Sequence, residues 1–158
     1  FSDEQRAVYQ IVEEARLTAI ASIKPGATIT DVHDAASRVL AQGLLDLGVL
    51  HGDKDSVLDE GSYRDFFPHQ TSHWLGLDVH DPGDYGRDGS GRILEPGMVF
   101  TIEPGLYFRL GQCGNNTDRW AGIGVRIEDD VVVTAEGVEV LTGVLPTSVD
   151  EVEEAVGR

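Results

Sequence analysis

The chain has 158 residues, with 28 acidic against 12 basic side chains, a formal net charge of −16 and 41% hydrophobic residues. Such a composition supports a packed core rather than disorder, and the length suits one domain or part of one, not two full domains. So acidic a chain, with no Lys/Arg cluster, excludes nucleic acid and anionic membrane surfaces as partners, because phosphate binding needs concentrated positive charge. The apolar runs, such as Met98 to Phe100 and Val131 to Val133, fall far short of the roughly 18 residues of a membrane span. A lone Cys113 cannot close an intrachain disulfide and no leader sequence is apparent, so a reducing, cytoplasmic setting is expected. The chain opens at Phe1, and its one methionine is Met98. This reads as a piece of something longer.

Ser2 and Gln5 form a capping-box pattern, and Val8, Ile11, Val12, Ala15, Ala19 and Ile20 recur at helical spacing, which predicts an amphipathic helix to about Ile23. Lys24-Pro25-Gly26 stops it. Thr30 is the expected cap of a second helix with an apolar face of Val32, Ala35, Val39, Leu40, Leu44 and Leu47, ending near Gly48. Residues 49–68 read as a mixed connection with a short helix at Lys54 to Glu60. From His69 onward, short apolar runs separated by Gly, Pro and Asp predict strands at Met98 to Glu103, Gly122 to Glu128, Val131 to Thr134 and Val138 to Leu141. Asp129-Asp130 and Glu136-Gly137 are the expected turns of an antiparallel sheet. Ser148 and Glu151 form another capping box, before a closing helix carrying Val149, Val152 and Val156.

Three of the five histidines, His69, His73 and His80, fall within the stretch His69-Gln-Thr-Ser-His-Trp-Leu-Gly-Leu-Asp-Val-His-Asp81. Imidazole ligates metals and titrates near neutral pH, whereas isolated histidines sit on surfaces or hydrogen-bonded in cores. Glu103 and Glu128 stand in strand-like apolar surroundings, where a carboxylate must be paired, coordinated or turned to solvent. The plain alternatives are a strand end before Pro104 for Glu103, and an arginine pair or hairpin rim for Glu128. Taken together, an imidazole and two carboxylates make a donor set suited to Mn²⁺, Co²⁺, Fe²⁺ or Zn²⁺, and cysteine-type structural zinc is excluded.

The stretches Phe66 to Asp81, Leu94 to Tyr107 and Gly122 to Thr134 together resemble bacterial aminopeptidase P, within the pita-bread metallopeptidases. Prolidases share much of Leu75-Gly-Leu-Asp-Val-His-Asp81 and Glu103-Pro-Gly-Leu-Tyr107, whereas Thr71-Ser-His-Trp74 and Gly122-Ile-Gly-Val-Arg-Ile-Glu-Asp-Asp130 are more similar to aminopeptidase P. The resemblance covers nearly the whole chain. It implies an α+β pita-bread fold, here incomplete: about the second of two pseudo-symmetric halves, with two helices, a curved antiparallel sheet and a C-terminal helix. Residues 1–158 would be the C-terminal portion of one catalytic domain, without the upstream ligand hairpin or the N-terminal domain.

By motif match, the resemblance places His73, Glu103 and Glu128 on three of five metal ligands, with Glu128 bridging two ions, usually manganese. The other two ligands are aspartates just upstream of a helix resembling Phe1 to Ile23, and no aspartate of this chain replaces them. His69 and His80 fall on substrate-site histidines, Tyr107 and Arg126 beside the ligands. The implied reaction removes the first residue from peptides with proline second. Glu103 would shuttle the proton, His80 would stabilise charge at the scissile peptide and His69 would wall the proline pocket. Two alternatives are a prolidase acting on Xaa-Pro dipeptides and a non-catalytic pita-bread protein that binds peptides. Proline-containing peptides are the expected partners, with self-association or association with a complementary half. Trp74 reads as packing, Asp78 as a structural loop carboxylate, and His33 and His51 as surface histidines.

Overall fold

Each helix starts where a side chain can take the backbone N–H groups that the first turn leaves free. The computed structural model describes residues 1–87, 89–111 and 118–157, and Cys113 lies outside them. Helix α1, Asp3–Ser22, is capped by Ser2, whose hydroxyl accepts the Gln5 N–H while the Gln5 side chain accepts the Ser2 N–H. Helix α2, Ile29–Asp46, is capped two residues earlier than the sequence reading has it. Thr28, not Thr30, takes the Asp31 N–H, and the Asp31 carboxylate returns to the Thr28 N–H at 2.7 Å. The reciprocal pair decides the boundary, because Thr30 has no acidic or amide residue three positions on. The buried face of α2 also rotates slightly, with Ala36 inside where the spacing predicts Ala35. Helix α3, Lys54–Glu60, and helix α4, Val149–Val156, fall where expected, capped by Asp53 and Ser148.

Helices α1 and α2 cross closely at Gly43, where a Cβ would come within 2.4 Å of the Ile11 side chain. A larger residue would hold the helices apart. Val8, Val12, Ala15 and Ala19 of α1 and Val32, Leu40 and Leu44 of α2 are fully buried in one core with Phe100, Ile102, Leu106 and Val131.

The sheet is not one piece. Strands β1, Gly86–Arg87, and β2, Ser90–Gly91, form a small hairpin; β3, Val99–Ile102, β6, Asp129–Val133, and β7, Val138–Val140, form a three-stranded sheet in that order; β4, Gly105–Tyr107, pairs with β5, Gly124–Arg126. All pairs are antiparallel. The expected strand from Gly122 to Glu128 is therefore shorter, and Asp129-Asp130 is no turn. Both residues pair within β6, opposite Ile102 and Thr101.

One register nevertheless runs through both larger sheets. Val99 faces Val132 and Ile102 faces Asp129, while Gly105 faces Arg126 and Tyr107 faces Gly124. The two ladders are one antiparallel pair interrupted at Glu103-Pro104 and Ile127-Glu128. Pro104 has no N–H to give, so the regular ladder breaks there. Residues 71–75 lie along the other side of β3: Val99 accepts the Leu75 N–H at 3.2 Å, His73 accepts that of Thr101 at 3.0 Å and Thr71 accepts that of Glu103 at 2.7 Å. Among the described residues no helix is long and apolar enough to cross a membrane.

Candidate metal centre

The interruption of the ladder is where the carboxylates meet. Carrying the register through it sets Glu103 directly opposite Glu128, and His73 lies opposite Thr101, one diagonal step away. Like charges facing each other across a strand pair repel, so this arrangement costs free energy unless a cation or a proton is shared. One donor atom from each of His73, Glu103 and Glu128 lies within 4.8 Å of the other two. No other group of this kind occurs among the described residues.

Hydrogen bonds fix the orientation of two of these candidate donors, His73 and Glu103. His73 Nδ1 is 3.1 Å from the carbonyl of Trp74, which can only accept, so the neutral ring carries its proton on Nδ1. That leaves the Nε2 lone pair facing Glu103 Oε1 at 3.4 Å. Two acceptors aimed at one point, with the far side of the imidazole tied to a carbonyl, make the usual outer-shell pattern of a metal-ligating histidine. Glu103 is 8% exposed, receives the Thr101 hydroxyl at 3.2 Å on Oε1, and has Arg126 Nη1 3.4 Å from Oε2. Glu128 is exposed by area rather than enclosed as the apolar flanks suggest. Partial burial of its carboxyl pushes its pKa up, the Glu103 charge adds to the rise, and His73 opposes it. The donor set fits a divalent cation.

A second chain of contacts runs beside the ligands. Arg126 Nε donates to Tyr107 Oη at 2.7 Å, Tyr107 Oη lies 2.8 Å from His69 Nε2, and His69 Nδ1 lies 2.8 Å from the Gln70 carbonyl. The carbonyl places the His69 proton on Nδ1, so Tyr107 donates its hydroxyl proton to Nε2. The bond that Arg126 gives to Tyr107, above all, raises the pKa of Arg126. His80 sits on an exposed loop and meets His73 edge-on, with ring centroids 4.4 Å apart. His69, Tyr107, Arg126, Glu103, His73 and His80 therefore form one continuous set of contacts around the interrupted ladder, with Glu128 facing His73 and Glu103 across it.

Strand β6, which begins just after Glu128, is anchored from behind. Asp129, 2% exposed, pairs with Arg16 of α1, itself 6% exposed, and accepts the Thr142 hydroxyl. Arg16 also reaches the Thr147 hydroxyl at 3.0 Å. Trp74 packs as expected, edge-on to Phe100, while Asp81 rather than Asp78 holds the loop by accepting the Asp78 N–H at 3.2 Å. His51 is exposed, but His33 is not the surface residue expected. It is partly buried and bonded to Thr71 and Ser37. Thr101 also escaped the sequence reading, although strand alternation puts it on the face of Glu103 two residues on.

The similarities of the chain agree with this geometry. It is 46% identical over 153 residues to the Xaa-Pro aminopeptidase of Escherichia coli (strain K12), covering 97% of this chain and 34% of that protein. Against the Xaa-Pro dipeptidase of Rattus norvegicus it is 40% identical over 181 aligned residues, covering 97% and 36%. The solved structure of Pseudomonas aeruginosa aminopeptidase PepP superposes with a TM-score of 0.91 at 48% identity, covering 98% of this chain and 35% of that one. The chain thus spans about a third of the length of these relatives, and over that third its α+β architecture is that of the pita-bread aminopeptidase P structures. Residues 1–135 match Metallopeptidase family M24, and to that family the chain belongs.

Proposed function

We propose that this chain is the C-terminal portion of the catalytic domain of a dinuclear aminopeptidase that removes the first residue from peptides with proline in second position. The observation that carries this reading is the opposition of Glu103 and Glu128 with the His73 Nε2 lone pair turned toward them. Two further aspartates, which the resemblance places upstream of α1 in the parent protein, would complete a site for two divalent ions. Manganese is the first choice, and Co²⁺, Zn²⁺ and Fe²⁺ suit the same donors. Bound there, the ions would supply Lewis-acid polarisation of the scissile carbonyl and acidify the attacking water.

The residues of the chain divide the remaining work. Glu103, held by Thr101 and Arg126, would take the proton of the attacking water and pass it to the leaving proline nitrogen. His80, next to His73, would donate to the oxygen that gains charge at the scissile peptide. His69, with its Nδ1 proton committed to Gln70 and its ring in edge-to-face contact with Phe67, would wall the proline pocket. The Arg126–Tyr107–His69 relay keeps that wall in register with the ligands.

A dipeptidase reading draws on the rat protein's name, but that match has the lower identity, 40% against 46%. A chain that only binds peptides would not need Glu103 to oppose Glu128. The lone cysteine favours a reducing, cytoplasmic setting. The outer edge of β5, with Ile123, Val125, Val152 and Val156 beside it, favours association with the rest of the parent protein or with another copy.

The test is a Mn²⁺ titration of this chain and of a polypeptide of the relatives' length that carries the two aspartates. The short chain should bind weakly and hydrolyse nothing, because three ligands cannot hold an ion pair. The long form should bind two ions and release the first residue of Xaa-Pro peptides. The reading fails if the long form binds no metal, or if it cleaves peptides equally well with and without proline in second position.

A further inference from the structure

The segment that carries His69 and His73 is bonded to β3 on only half of its backbone groups. In a regular antiparallel pair, two facing residues exchange both N–H···O=C bonds. Here the carbonyls of Thr71 and His73 accept from Glu103 and Thr101, but the N–H groups of the same two residues turn elsewhere. That of His73 goes to the Thr101 hydroxyl at 3.1 Å, and that of Thr71 goes to Nδ1 of His33 at 3.2 Å. Thr71 is fully buried, so its N–H has no water to fall back on.

The tautomer of His33 follows from these contacts. A backbone N–H can only donate, so Nδ1 must be the acceptor, and the proton of the neutral ring sits on Nε2, 3.3 Å from the buried Ser37 hydroxyl. The Thr71 hydroxyl, 2.9 Å from the same Nδ1, adds a second donor. Phe67 stacks on the ring with centroids 5.6 Å apart and meets His69 in an edge-to-face contact with centroids 4.8 Å apart. Burial, the largest influence, lowers the pKa of His33 and keeps its lone pair available near neutral pH.

We infer that His33 of α2 is a positioning residue that stands in for the β3 carbonyl the Thr71 N–H does not engage, fastening Thr71 so that His69 and His73 are held in register with Glu103. What is positioned rests on the function proposed above; the fastening itself does not. Neither His33 nor Thr71 enters the motifs on which the family resemblance was drawn as a ligand or substrate contact.

The test uses this chain and reads the fastening directly. Imidazole nitrogen NMR of the unmodified protein should show His33 protonated on Nε2 and bare on Nδ1; a proton on Nδ1 overturns the inference. His33→Leu should speed amide exchange at Thr71 and Glu103 by roughly tenfold or more, the scale of one hydrogen bond, with Val131 unchanged. It should also shift the ring signals of His69 and His73. His33→Asn, whose carbonyl falls near the place of Nδ1, should restore slow exchange and both ring signals. His33→Gln, whose carbonyl falls near Nε2, should not. Unchanged exchange in His33→Leu, or equal exchange in the Asn and Gln variants, overturns the inference, and the Asn–Gln comparison decides it if the Leu variant fails to fold. None of these readings needs hydrolysis, so an inactive long form would count against the proposed function and leave His33 standing.

Discussion

His73 and His80 touch ring to ring, yet only His73 has its outer nitrogen tied to a carbonyl. In a long form carrying both aspartates, His73→Ala should lower metal occupancy, whereas His80→Ala should leave both ions bound and reduce kcat by roughly 10²-fold, the scale of one lost donor. Metal analysis and kinetics on both variants check this, and the assignment is wrong if the phenotypes are exchanged. A pH effect belongs to His33. Its folded-state pKa lies below the ordinary 6.5, mainly through burial, with Arg64 and His69 lowering it further and Asp34 opposing. The unfolded chain therefore takes up the proton first as pH falls. The stability this group contributes is complete above the ordinary value and is lost as pH drops from there toward the folded-state pKa. Denaturant midpoints should fall more between pH 7.5 and 5, conditions chosen to span roughly that window, in the unmodified protein than in His33→Asn. Equal falls would refute the assignment. The site histidines were legible in the sequence because they cluster within one motif; His33 was not, since a single histidine beside the apolar stripe of a helix gives no sign of which strand it will meet.

Helix α1 and strand β6 are joined by a buried ion pair, and that joint sets the place of Glu128. Removing one partner strands a charge in the core, so Arg16→Ala should cost about 3–5 kcal/mol. Arg16→Met combined with Asp129→Asn should cost less than the two single changes together, since both charges leave at once. Urea unfolding of the three variants measures the coupling, and additive losses would show that the pair is not a unit. The capping boxes at Ser2 and Ser148 were readable because both halves of the pattern are local in sequence, and at α2 the missing half of the pattern at Thr30 marks the correct start at Thr28. Strand limits were less readable. Val125, Ile127 and Asp129 alternate as one strand would, but Pro104 on the facing run breaks the ladder, and no local pattern at Gly122 to Glu128 reports a proline that is distant in sequence.

Across the whole molecule, the formal charge of −16 opposes the compact state by self-repulsion. Raising salt from low ionic strength to roughly 0.5 M, where screening acts over only a few ångströms, should raise Tm. A Tm that falls with added NaCl would mean that attractive ion pairs, such as that of Arg6 with Glu153, outweigh the repulsion. The three candidate donors are set by backbone pairing: Glu103 and Glu128 face each other at the break between the β3–β6 and β4–β5 ladders, and the His73 carbonyl is bonded to the Thr101 N–H. The strand pair that bears Glu103 and Glu128 therefore works as a ruler. Neighbouring strands lie about 4.8 Å apart, and a slip of one residue would turn a ligand to the opposite face. A single inserted residue between Val99 and Tyr107 would carry one carboxylate out of reach of the other. Length in this architecture is fixed where the two carboxylates face each other, because the register alone keeps them opposite.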